Sequence, residues 1–172
     1  MSTATKLYLG TALIFAAAFS RLIPHPMNFA PITAIALFGG MYFDKKYAPV
    51  LPLLALIISD YFLGFYQGIT WVYGSFVLVT FLGIFASRKK SFGMIAGSTI
   101  AGSVLFFIVT NFGVWQSGIL YPLTVDGLVA CYTAAIPFFR NAIVGDVFYV
   151  TVLFGSYELL VRYLPSNVPQ KI

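Results

Sequence analysis

Trp71–Lys90 reads WVYGSFVLVTFLGIFASRKK, a run without a charged side chain from Trp71 to Ser87 that stops on Arg88-Lys89-Lys90. A helix crosses the hydrocarbon layer with about 20 apolar residues, or about 17 at the short end. The run is therefore one membrane span. The cations that stop it also orient it, because Lys and Arg collect in the loops on the cytoplasmic side.

Working outward, the same pattern recurs along the chain. Spans are predicted near residues 7–23, 29–43, 48–63, 71–87, 92–112 and 140–162, with a structured outer segment at 113–139. Of the 172 residues, 60% are hydrophobic and 9% charged, and mean hydropathy is +0.92. That leaves too little polar surface to cover a water-soluble globule. Continuous apolar runs exclude the alternating strands of a β-barrel, and six spans leave no room for a separate soluble domain. The chain is expected to be one all-α integral membrane domain over 1–172, a six-transmembrane-helix bundle embedded in the lipid bilayer. The first run, Leu7–Ile23, continues past Ala16-Ala17-Ala18 to Arg21 and reads as a retained helix, not a cleaved signal. Pro31, Pro49 and Pro52 fall in first turns, where a missing N–H is harmless. Gly39-Gly40 is expected to loosen the end of the second span.

Orientation follows from counting. With both termini cytoplasmic, Lys6, Lys45, Lys46, Arg88, Lys89, Lys90, Arg162 and Lys171 lie inside and only Arg21 and Arg140 outside. Five or seven spans would break that agreement. The net charge of +5 is explained by these short clusters flanking spans, so no nucleic-acid partner is expected.

The outer side collects the other polar residues: Arg21, His25, Asn28, Asp60, Gln67, Asn111, Gln116, Asp126, Arg140 and Asn141, with Trp71, Tyr73, Trp115 and Tyr121. Such a polar cluster rimmed by aromatics has the composition of a small-molecule pocket, and the same aromatics also suit an interfacial belt. Asp146 follows Arg140 by six residues, about 9 Å deeper along a helix. An ionised group at that depth costs about 2.5–3.5 kcal/mol on insertion scales, so Asp60 and Asp146 need partners. Asp60 with Arg140 and Asp146 with Arg21 is one pairing, and the exchanged pairing is open. Arg21 and Asp146 are thus expected in a buried charge network. His25, between Pro24 and Pro26, is held extended, and Asn28 is expected to cap the second helix.

Catalytic signatures are missing: there is no Gly-x-Ser-x-Gly, no His-Glu-x-x-His and no phosphate-binding glycine loop. One His and the single Cys131 leave no set of metal ligands, and Cys131 reads as a small buried apolar residue. No cofactor or metal is expected. Ala12-x-x-x-Ala16 and Gly93-x-x-x-Gly97-x-x-x-Ala101 have the small-residue spacing that lets helices approach closely, inside the bundle or, for Ala12 and Ala16, against a docked partner; internal packing is the expectation weighed more heavily.

Arg21-Leu-Ile-Pro-His-Pro-Met-Asn-Phe-Ala-Pro, Ile58-Ser-Asp-Tyr-Phe-Leu-Gly, Thr110-Asn-Phe-Gly-Val-Trp and Ile136-Pro-Phe-Phe-Arg-Asn together resemble a group of small bacterial membrane proteins. Those in turn resemble the substrate-binding S-components of energy-coupling-factor (ECF) vitamin transporters, nearest to the BtuM cobalamin-transporter branch. The resemblance implies a six-helix S-component-like fold in the bacterial cytoplasmic (inner) membrane with an outward-facing vitamin pocket. It carries roles onto His25, Asp60 and Arg140, and implies docking of a coupling subunit on Ala12 and Ala16, with ATPases on partner chains. The chain departs where that branch has a cobalt-ligating cysteine, offering Trp71, Val72 and Tyr73. Cysteine-mediated removal of a cobalt ligand is therefore not implied. The expected function is capture of a vitamin-like micronutrient, a cobalamin or related compound among the candidates, from the outer face. Its expected contacts are His25, Asn28, Asp60, Trp71, Tyr73, Asn111, Trp115, Tyr121, Arg140 and Asn141. The alternatives are an intramembrane enzyme acting on a lipid-soluble substrate and a non-catalytic scaffold.

Overall fold

A computed structural model describes residues 3–163 of the chain; Lys171 and the side chain of Lys6 lie outside what it describes. Among the described residues the protein is all-helical, with α1 Thr3–Ser20, α2 Ile32–Tyr42, α3 Val50–Leu63, α4 Ile69–Ala86, α5 Phe92–Gln116 and α6 Val125–Tyr163. Three of these, α4, α5 and α6, are long and apolar enough to cross a membrane. The other three are apolar but shorter. Large side chains such as Phe81, Phe85, Ile108, Val144 and Phe148 stand exposed around the bundle. A surface of that kind is unsuited to water and consistent with a membrane protein.

The bundle is built around α2, which contacts all five other helices. Its residues Thr33 to Met41 are all buried, as expected of a helix that is apolar all round. Phe38 is the hub, with the rings of Phe43, Phe154 and Tyr157 edge-on at 6.2, 5.3 and 5.1 Å. The expectation that Gly39-Gly40 loosens the end of α2 is overturned. A Cβ at Gly40 would collide with the Thr80 carbonyl, and one at Gly83 would lie 2.7 Å from the Leu37 carbonyl. The glycines let α2 and α4 touch backbone to backbone, which lengthens the van der Waals contact that binds helices in lipid.

Other small residues do not take part in the internal packing that is one reading of their spacing. Ala12, Ala16, Gly93, Gly97 and Ala101 are exposed on the outside of the bundle, and nothing lies within 4 Å of a Cβ added to Gly93 or Gly97. On α5 it is the neighbouring Gly102 that packs inward, against Thr33 and Val79.

Boundaries also shift. The second helix begins at Ile32, after a turn through residues 24–31 whose Phe29 rests on Gly145 of α6. Pro31 and Pro49 directly precede α2 and α3, and Pro52 sits in the first turn of α3. The expected outer segment 113–139 is mostly helix: α5 runs on to Gln116, α6 starts at Val125, and only 117–124 connect them. The Trp115 indole N–H, shared between the Pro122 and Thr124 carbonyls at 3.1 and 3.2 Å, closes that connection. Pro137 lies within α6 without ending it. At 39 residues α6 is about 58 Å long, well beyond one bilayer crossing.

The two ends of the bundle differ. At one, the Lys90 ammonium stands 4.2 Å over the Tyr42 ring, and the Tyr42 hydroxyl donates to Glu158, so the Arg88–Lys90 cluster meets the last turns of α2 and α6. At the other end lie Arg21, the 24–31 turn and the α3–α4 and α5–α6 connections.

Candidate functional site

Between α2, α5 and α6, a cavity of about 440 Å³ opens at the end carrying Arg21. Its deep part is made by three helices. Asp146 of α6, 4% exposed, accepts from the Ser103 hydroxyl of α5 at 2.6 Å, with Thr33 of α2 alongside. Ser103 sits near the middle of α5, about 16 Å from its first residue. Phe106, Phe107, Phe139 and Ala142 form apolar walls; Arg21, His25, Asn28, Tyr66, Thr110 and Asn111 complete the lining.

Arg21 follows the end of α1 and reaches α3. One guanidinium nitrogen donates to Ser59 Oγ at 2.5 Å, and the other pairs with Asp60 Oδ1 at 2.6 Å. The other carboxylate oxygen accepts from the Tyr73 hydroxyl at 2.9 Å. Ser59 and Asp60 are wholly buried, and Oδ1 is the one fully buried side-chain oxygen or nitrogen among the described residues without a well-aligned hydrogen bond. Charge attraction therefore holds that contact. Neither expected pairing is realised as a whole: Asp60 takes Arg21, not Arg140, and Asp146 takes hydroxyls, not Arg21. The reason is reach, since Arg21 ends α1 directly beside α3 while Asp146 lies deeper on α6. Among the described residues Asp146 forms no ion pair.

Around the rim, His25 Nδ1 lies 2.7 Å from the Ile23 carbonyl. A carbonyl only accepts, so the proton sits on Nδ1 and Nε2 is left for other partners. Asn28 does not cap α2: Pro31 occupies that place without a side-chain cap. Instead Asn28 adopts the left-handed region at φ 62°, which Asn tolerates better than most residues. Asn111 donates from its amide to the Phe107 carbonyl at 2.8 Å, bonding within its own helix. The Tyr66 hydroxyl, between α3 and α4, has its pKa raised by partial burial and then by the Asp60 carboxylate, and it stays neutral.

The remaining expected contacts lie elsewhere. Asp60 and Tyr73 stand behind Arg21 and do not line the cavity. Trp71 covers Gly113 and meets Phe112 edge-on at 5.5 Å. Trp115 ties the α5–α6 connection. Tyr121 lines a second recess of about 410 Å³ with Met27 and Cys131, which adjoins the main cavity through Asn28, Asn111 and Val114. Arg140 is exposed and, with Asn141, borders a separate groove beside Pro26 and Phe29; the Asn141 amide donates to the Met27 carbonyl at 3.3 Å. Arg140 and Asp146 thus face different spaces, as about 240° of helical rotation between them requires.

Thr33, Tyr66, Ser103, Phe107, Phe139 and Ala142 are among the lining residues that sequence reasoning missed. A signal existed for Ser103: a hydroxyl next to Gly102 in the middle of an apolar run, on a different face from the Gly93–Ala101 stripe. Among the described residues no group of three His, Cys, Asp or Glu side chains comes together to hold a metal ion.

Neither the curated proteins nor the solved structures include a match to this chain. A protein-family comparison does: the profile of a family of unknown function, DUF6580, matches residues 1–168. The match covers almost the whole chain, cavity included, and the chain belongs to the DUF6580 family.

Proposed function

We propose that this protein is a substrate-binding membrane transport protein, S-component-like, that captures a small vitamin-like nutrient in the cavity between α2, α5 and α6. In this reading six spans place both termini in the cytoplasm of a bacterium and turn the cavity outward across the inner membrane. The observation that carries it is the cavity itself: about 440 Å³, apolar-walled, with a few polar groups converging on it. Ligand pockets combine those properties, typically at about 300–1,000 Å³. The opening lies at the end opposite the Arg88–Lys90 cluster, and cations mark the cytoplasmic side. A scaffold without a ligand would gain stability by filling such a space.

The volume favours a compact ring compound. A corrin fits only if the main cavity and the recess at Tyr121 merge. Exposed Ala12 and Ala16 leave α1 free to meet a coupling subunit, with ATPases on partner chains supplying the energy.

Mass spectrometry of small molecules that co-purify with the full chain in detergent tests the proposal. An unaltered compound, lost in an Ala142→Phe variant of unchanged thermal stability, is the expected result. A co-purified compound converted to product on incubation would establish the enzyme alternative instead. A preparation free of bound compound that also ignores added nutrients would leave the scaffold.

A further inference from the structure

From the charges around the cavity we infer that its ligand is an organic cation, a protonated amine on an aromatic or apolar ring, whose positive charge pairs with Asp146. The inference rests on the binding role proposed above and names the ligand class. Arg21 is already neutralised by Asp60 at 2.6 Å, so an ionised Asp146 gives the lining one negative charge in excess, in a chain whose net charge is +5. Ser103 and Thr33 orient that carboxylate by donating hydroxyl hydrogen bonds, which supply no countercharge. A desolvated carboxylate without a cation is costly, and the cost falls when a cation enters. Phe106, Phe107 and Phe139 complete the match. The Phe107 and Phe139 rings lie 4.5 Å apart, and aromatic faces attract cations most when water is excluded.

The Ser103 hydroxyl also lies 3.0 Å from the Thr99 carbonyl. With one proton, it donates either to that carbonyl or to Asp146. An ionised Asp146 draws the proton toward itself, and a protonated one would release it to Thr99. The Asp146→Asn variant mimics the second state in shape while lacking the charge.

Three probes of one shape and different charge test the inference: tryptamine, tryptophol and indole-3-propionate, with binding to the full chain in detergent read by ligand-observed NMR. Tryptamine is expected to bind tightest in the wild type. Asp146→Asn is expected to weaken tryptamine by about 30-fold or more and tryptophol by less than about 3-fold, since removing one partner of a desolvated charge pair has a large effect. If tryptophol binds the wild type as well as tryptamine does, the cation inference falls while the binding role stands. The same outcome follows if Asp146→Asn folds and leaves tryptamine unchanged, because the carboxyl then acts as a neutral group. If none of the three binds, the cation inference falls, and the binding role is decided by the co-purifying compounds alone. The wild-type series needs no variant and decides the matter even if Asp146→Asn does not fold.

Discussion

Asp60 and Asp146 are almost equally removed from solvent, at 0% and 4% exposure, but the protein surrounds them with opposite kinds of partner. Asp60 receives a guanidinium, which also donates to Ser59, and a tyrosine hydroxyl, all from protein. Asp146 receives hydroxyls and an open cavity. The first arrangement closes on itself and ties the end of α1 to α3 and α4. The second is electrically incomplete. Two buried acids in one small bundle can therefore serve different ends, and what separates them is whether the compensating charge belongs to the chain.

The sharpest way to break this contrast is to remove the carboxylate that holds Arg21. Asp60→Asn leaves a buried guanidinium unpaired and is expected to destabilise the bundle by about 3–5 kcal/mol, measured by unfolding in detergent. Stability close to wild type would mean that Arg21 reaches water by another route. Next in size, Tyr73→Phe removes a hydrogen bond to a charged group and is expected to cost about 1.5–3 kcal/mol. The double variant Arg21→Met with Asp60→Leu is expected to recover most of the single-variant loss and fall within about 2 kcal/mol of wild type, because a whole buried pair can be exchanged for apolar residues far more cheaply than half of one. The smallest effect is expected for Asp146→Asn, within about 1 kcal/mol, since no protein cation is orphaned. A loss there as large as that of Asp60→Asn would erase the distinction between the two acids.

Much of the membrane character was legible in Trp71–Lys90 and its counterparts, because span length and flanking charge act through the solvent and require no neighbour. Helix number was legible for the same reason. The site was legible only in part. His25, Asn28 and Asn111 do line the cavity, but Arg140, Trp71 and Trp115 were chosen for residue type and sequence position and serve elsewhere. Arg140 faces away because its helix carries it past the 24–31 turn, and Trp115 is engaged by carbonyls of the connection it closes. Small-residue spacing misled for a related reason: Gly93-x-x-x-Gly97 and Gly40 offer the same local geometry, and only the presence of a neighbouring helix makes one an interface.

By itself, then, the sequence determined that the chain is helical, apolar and asymmetric in charge, since those properties depend on composition and on periods along a single strand. Tertiary structure alone decided which acid meets Arg21, which hydroxyls turn toward Asp146 and where a cavity is left between α2, α5 and α6. Pairing and emptiness are relations between helices far apart in sequence. They depend on helix rotation and on ångströms of approach, such as the backbone contact that Gly40 and Gly83 permit, and no local pattern encodes these.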